Sequence, residues 1–255
     1  MIDILWLTLE VSVINSSLMK GHRLIFSEDS PIKQVLYKIL FIDSLLVTFA
    51  ISSAIALGHS PDLHFREAGF LTYVSCLKLL IAAVISGKIF GIIKNSPNHK
   101  LSDNKIVWLV ITLGLLFLAL DDALKIHEEI DALLHDVLNI TQTNITDLLD
   151  DLIVGAYILI FLIFIAFQWK TIQLFRSSFV FFLAGLVFTV VMVSLDLISH
   201  NTYVASLMTD DAEQIQALKQ WFSAWEDAAK IYAEGMFIVG VYKCRQIAKS
   251  IDSKQ

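Results

Sequence analysis

The sequence predicts an all-α, polytopic membrane protein, a bundle of seven transmembrane helices with the N-terminus outside and the C-terminus in the cytoplasm. Three observations predict it. Hydrophobic residues fill 56% of the 255 positions and charged residues only 17%, a balance outside the usual soluble range. The apolar residues gather into runs of about the 20 residues that a bilayer-crossing helix needs. Basic residues collect at every second connection between the runs, the asymmetry that orients membrane helices.

The runs cover roughly 2–19, 35–57, 68–93, 105–125, 148–168, 178–199 and 222–243, and residues 1–255 form a single transmembrane domain. No basic segment precedes the first run and no small-residue cleavage site follows it, so it reads as a retained span rather than a removed signal peptide. Its Asp3 and Glu10 also allow an amphipathic helix lying on the surface. The second run holds Asp43, expected to pair with a loop lysine or to stay protonated, and the third holds Lys78. The fourth ends in Asp121-Asp122, the fifth begins at Asp150-Asp151, the sixth ends with Asp196 and His200, and the seventh carries Glu226, Asp227, Lys230 and Glu234. Pro31, Pro61 and Pro97 all fall between runs, which suits unbroken helices whose backbone groups are satisfied internally. Cys76 and Cys244 belong to different runs near opposite ends, so no disulfide is expected between them. Trp6, Trp108, Trp169, Trp221 and Trp225 lie mostly near run ends, where an aromatic belt is expected.

The net charge of -6 conceals a strong polarity. On the side assigned to the cytoplasm stand 14 of the 19 basic residues, and on the outer side or in the outer halves of the runs stand 20 of the 25 acids and five of the seven histidines. Retention of lysine and arginine inside accounts for acidic outer loops. It does not account for acids within the runs. From Ile106 to Leu120 there are 15 residues before Asp121, about 22 Å of helix at ~1.5 Å per residue, short of a ~30 Å hydrocarbon core. The same counting places Asp150-Asp151, Asp196, Glu226-Asp227 and Lys230 at one level. A carboxylate facing lipid there costs several kcal/mol, so these groups are expected to face the bundle interior.

Helical spacing arranges them in stripes. Asp121 and Glu128 are seven apart with Lys125 and His135 close by, Asp196 and His200 are four apart, and Asp227, Lys230 and Glu234 follow at three and four. The stripes would line a pocket opening outward, with His59 and His64 as a roof. Imidazole with carboxylate is the ligand chemistry of zinc, iron or manganese, and His127, Glu128, Asp151, Asp196 and His200 are the candidate metal ligands. Asp121 and Glu226 are the candidate catalytic groups, as general base or as supports of the ligands. No His-x-x-x-His or HExxH spacing dictates a metal. Glu10, Lys78 and Glu234 count to mid-membrane, where Lys78 is expected to pair with Glu10 or Glu234. With Asp227 and Lys230 they form either structural ion pairs or an ion path. Asn139 and Asn144 begin glycosylation sequons on the outer side.

The segment Phe117 to Glu128, with Asp121-Asp122, then four residues, then His127-Glu128, resembles the Asp-[Asp/Glu]-x4-His-Glu pattern of a group of uncharacterised bacterial multi-pass membrane proteins. Glu226-Asp227 through Glu234-Gly235 and Phe237 resembles the last-span pattern of the same group. This implies a bacterial inner membrane location but no activity. In architecture the chain also resembles the alkaline ceramidase and adiponectin-receptor superfamily, which implies seven spans around a zinc site and hydrolysis of lipid amides. The superfamily's Ser-x-x-x-His and His-x-x-x-His are absent, and Asp196-x-x-x-His200 stands in only partly.

Three functions compete on these grounds. The first is a metal-dependent hydrolase or other lipid-modifying enzyme acting on a membrane lipid. The second is a cation or proton transporter or channel with an acidic outer vestibule, and the third is a non-catalytic membrane assembly or sensor protein. Lipid is the expected partner in each; nucleic acid is not.

Overall fold

Among the described residues there are seven helices of appreciable length, six from the runs and a seventh, Ile126–Leu138, between two of them. The computed structural model describes residues 31–65, 69–97, 105–138, 149–200, 204 and 206–253. The run 2–19 with Glu10, and the sequons at Asn139 and Asn144, lie outside the described residues, as do the side chains of residues 138, 149–152, 154 and 200. Helix α1 (Pro31–Ala56) opens on a proline, whose fixed φ and missing N–H suit the first helical position. It closes at Gly58, where φ is 72° and the N–H groups of Gly58 and His59 reach back to the carbonyls of Ile55 and Ala54 at 3.0 and 2.9 Å. Helix α2 (Phe70–Asn95) stops just before Pro97. Helix α3 (Lys105–Leu124) is terminated by Lys125, which adopts a left-handed φ of 56°, and the chain restarts as α4 (Ile126–Leu138).

Helix α5 (Leu149–Phe167) follows, then a short α6 (Trp169–Ile172), a 3-10 turn (Gln173–Ser178), and α7 (Phe179–His200). The last element is α8 (Ala212–Asp252), whose N-terminus is capped by Asp211 accepting the Glu213 N–H at 2.9 Å. Every regular element among the described residues is helical.

Four stretches are long and apolar enough to cross a membrane: α1, α2, α3, and Trp169–Ser199, which joins α6, the 3-10 turn and α7. This is a membrane-type helical protein. The apolar part of α5, Gly155–Phe167, is shorter, about 20 Å at ~1.5 Å per residue. The expected bounds of these helices are met within four residues at each end. The last run is the exception, because 222–243 is only the middle of α8, a helix of 41 residues that extends about 61 Å.

Helix α8 is also the most enclosed. It packs against α7, α2 and α1, while α2 packs against α3 and α4 against α5. Small residues make the enclosure possible. Ala224, Ala228, Ala233, Gly235, Gly240 and Ala248 all lie on buried faces of α8, and small side chains let membrane helices approach closely. A Cβ at Gly185 would meet the Phe237 ring at 2.5 Å, and one at Gly240 would meet Phe182 at 2.9 Å. Those two rings stack across the α7/α8 contact at 6.4 Å.

The outer surface is apolar as well. Phe41, Leu45 and Phe49 on α1, Leu113 and Leu120 on α3, and Leu183, Val187 and Val190 on α7 are all exposed, an arrangement that suits lipid on the outside. Trp108 departs from the expected aromatic belt. Only 3% exposed, it packs edge-on to Phe175 with ring centroids 5.1 Å apart, inside a cluster with Ile89, Ile93 and Val241. The contact between α2 and α3 draws its ring inward. Cys76 and Cys244 are both buried free thiols.

Candidate functional site

Helical periodicity carries the charged side chains inward. On α1, Asp43 shares a buried stripe with Val47, Ala50 and Ala54, spaced by four, three and four. On α2, Leu71, Ser75, Lys78, Ala82, Ser86, Ile89 and Ile93 form one unbroken stripe of the same spacing. On α8, Glu234 lies three and four residues from Ile231 and Ile238, with Lys230 four residues earlier. Where these stripes meet, the polar groups pair with one another, because a buried charge left without a partner is costly.

Lys78 is the node. Its Nζ donates to Asp43 Oδ1 at 2.9 Å and to the carbonyl oxygen of Ile231. Asp43 is therefore paired with a lysine inside a neighbouring helix, not with a loop lysine. The direct Lys78 to Glu234 contact expected from depth is replaced by a looser relation. Ser75 Oγ donates to Glu234 Oε1 at 2.5 Å, while the charges of Lys230 and Lys78 both act on Glu234. The adjacent Gly235 permits this approach. A Cβ there would collide with Asp43 Oδ2, lie 2.8 Å from Ile39 Cγ2 and come within 3.4 Å of Lys78 Nζ.

One helical turn earlier on α8, Lys230 Nζ donates to Asp122 Oδ1 at 2.5 Å, and Cys76 Sγ approaches Asp122 Oδ2 at 3.5 Å. Asp227 lies in the fields of Lys230, Asp122, Glu234 and Asp196. The result is a chain of ionisable groups from Asp43 through Lys78, Glu234 and Lys230 to Asp122, with Asp227 and Asp196 beyond. A space of about 10 Å³ bordered by Leu71, Thr72, Ser75, Asp227, Lys230 and Ile231 adjoins it, about the least volume that admits one water molecule.

Charge within the chain does not balance. Among the described residues, Asp43, Asp122, Asp227 and Glu234 stand against Lys78 and Lys230, an excess of two carboxylates that Asp196 raises to three. Asp43 and Glu234 are 2% and 6% exposed, and their oxygens Asp43 Oδ2 and Glu234 Oε2 are buried with no hydrogen-bond partner among the described residues. Buried carboxylate oxygens of this kind are stabilised by a proton or a cation.

The remaining sequence candidates are arranged differently. The buried Asp121 accepts the His127 backbone N–H at 2.9 Å, and its other oxygen lies 3.0 Å from His127 Nδ1. It thus holds the start of α4 beyond the left-handed Lys125, as a capping side chain does. Glu128 pairs with Lys125 at 3.4 Å, and His135 Nδ1 lies 3.0 Å from the Asp131 carbonyl oxygen. Glu226 is half-buried beside Asp227, and Asp196 reaches the chain through its field on Asp227. Among the described residues no group of three His, Cys, Asp or Glu is placed to hold a metal. The side chains of Asp151 and His200 are outside that set.

Ser75, Cys76 and Gly235 belong to the cluster although sequence reasoning gives them no place in it, and Asp122 joins it separately from Asp121, with which the sequence pairs it. The α2 stripe would have marked Ser75 as inward-facing beside Lys78; Gly235 carries no such signal. Asp121→Ala is expected to remove the α4 cap, costing about 1 kcal/mol. Amide exchange should then quicken about fivefold across 126–138 while α2 and α8 are unchanged. Unaltered exchange in α4 would refute the capping role.

No curated protein and no solved structure matches the chain. One family model does, over residues 26–243, which takes in the whole cluster from Asp43 to Glu234. The chain therefore belongs to the family described as a domain of unknown function, DUF8692.

Proposed function

We propose that the protein crosses a bacterial inner membrane with its N-terminus outside and its C-terminus in the cytoplasm, and that the buried charge chain takes up and relays protons from the outer face. The observation that carries this reading is the excess of carboxylates over lysines among the described residues of the cluster, with Asp43 Oδ2 and Glu234 Oε2 enclosed and without partners among them. A proton neutralises such a site best. Two ammonium groups, Lys78 and Lys230, stand within it and would repel a divalent cation, whereas a proton needs no coordination shell.

Seven spans remain the count that the run lengths support, with α5 as a short span. Helix α8 would cross despite its charges, because they face its neighbours rather than lipid. On the inner side of the cluster the core is apolar, built from Ile89, Ile93, Trp108, Phe175 and Val241. Protons would therefore enter from the outer level through Asp227 and Lys230, and a rearrangement of α8 against α2 would release them inward.

Proteoliposomes holding a pH-sensitive dye test this. With a potassium diffusion potential imposed, the wild type is expected to acidify the lumen faster than protein-free vesicles. Glu234→Gln should reduce that rate to the protein-free leak while retaining the wild-type helical circular dichroism and gel-filtration profile. Wild-type vesicles no faster than empty ones would overturn the proposal, and so would full flux in a folded Glu234→Gln protein.

A further inference from the structure

At the end of the α2/α3 pair remote from the charge chain lies a cavity of about 270 Å³, lined by Phe90, Lys94, Lys105, Ile106 and Leu109. Its two lysines and its apolar wall come from different helices. Lys94 is in the last turn of α2 and Lys105 is the first residue of α3. Both are exposed, and among the described residues neither has a carboxylate partner, although the Lys94 ammonium sits 6.0 Å above the Phe90 ring. Ile106 and Leu109, 57% and 39% exposed, form the floor, and their stripe continues along α3 through the exposed Leu113, Leu116 and Leu120.

We propose that this cavity binds the headgroup of an anionic phospholipid of the adjoining leaflet. The charge is complementary, because two lysines from different helix ends line the one cavity, and basic pockets between helix ends are suited to such headgroups. The geometry is amphipathic in the same sense as the ligand. Lysines stand at the mouth, and below them an exposed apolar track leads toward the membrane centre for an acyl chain. A cavity of this size, close to the lower limit of ~300 Å³ for small-molecule pockets, holds a headgroup and leaves the tails outside. Free phosphate would use the lysines but leave Phe90, Ile106 and Leu109 without a function, so the lipid is the favoured occupant.

The test uses the full-length protein purified in detergent, with phosphatidylglycerol and phosphatidylcholine as competing probes, read by native mass spectrometry. The wild type is expected to retain phosphatidylglycerol in preference to phosphatidylcholine. Lys94→Gln/Lys105→Gln should bind it about 30-fold more weakly, at roughly a fivefold loss for each surface lysine. Leu109→Trp keeps both lysines but fills the floor, and it should also lose phosphatidylglycerol. Equal retention of the two lipids by the wild type, or undiminished phosphatidylglycerol binding by Lys94→Gln/Lys105→Gln, would overturn the assignment. Inorganic phosphate that competes the lipid off at equal molar concentration would also overturn it, because the site would then be one for free phosphate. Since both lysines are exposed, the substitutions leave the fold intact, and an unchanged melting temperature in phosphatidylcholine nanodiscs verifies this.

Discussion

Lys78→Met is expected to be the most disruptive single substitution in the bundle. It leaves the Asp43 carboxylate, 2% exposed, without the ammonium 2.9 Å away, and it strips the Ile231 carbonyl of the same donor. Breaking a buried ion pair from one side costs about 3–5 kcal/mol, because the remaining charge has neither water nor partner. In lipid the value should fall toward the lower end, since polar groups of the unfolded helices also find partners. Melting followed by tryptophan fluorescence in nanodiscs should show a large drop for Lys78→Met and substantial recovery for Lys78→Met/Asp43→Leu, where the orphaned carboxylate is removed too. A Lys78→Met protein that melts with the wild type would show that the pair contributes nothing to the fold. Recovery in the double variant separates charge burial from lost packing.

Gly235→Ala should produce the second large effect, although it adds a single methyl group. That methyl would occupy the space of Asp43 Oδ2 and press on Ile39 Cγ2 at 2.8 Å. Either α8 moves away from α1 or the Asp43 to Lys78 pair opens. Overpacking of this kind costs about 1–3 kcal/mol. The matched control is Gly114→Ala, where a Cβ meets nothing within 4 Å; in a helix interior that change is worth up to about 1 kcal/mol of added stability. The two substitutions therefore differ in sign, and chemical or thermal unfolding reads the difference directly. Because Gly235 and Lys78 converge on Asp43, Gly235→Ala/Lys78→Met should cost less than the two single changes combined. Additive effects would place Gly235 outside the ion-pair packing, and a stabilised Gly235→Ala would contradict the close approach itself.

Particular residues show how far the sequence reached. The inward orientation of Lys78 and Glu234 is legible, because a charge at that depth cannot face lipid, whereas Asp43, read as a partner of a loop lysine, turns inward only in the structure. The level shared by Asp122, Asp196, Asp227 and Lys230 is legible for the same reason. Partner choice is not. Lys78 counts to the depth of Glu234, yet it donates to Asp43, because α1 approaches α2 and α8 through the gap that Gly235 leaves. Asp121 and Asp122, adjacent in sequence, point about 100° apart on a helix. One caps α4 through His127 and the other joins Lys230 on α8, so a pair that reads as one acidic site serves two unrelated purposes. Trp108 carries the same lesson, since closeness to a helix end does not reveal whether the ring points to lipid or to Phe175.

Sequence alone determined that this is a membrane-type helical protein, where its long helices other than α8 begin and end, and on which faces many of their charges lie. Those properties follow from run length, periodicity and the cost of exposing polar groups to hydrocarbon, all of which act within one helix. Tertiary structure alone decided that α8 is the enclosed central helix, that Lys78 closes on Asp43, that Glu234 takes its hydrogen bond from Ser75, and that two buried carboxylate oxygens lack partners among the described residues. These depend on which helices become neighbours and how each is rotated about its axis. Such choices are made by packing of small and large side chains across interfaces, which the order of residues along one helix does not record.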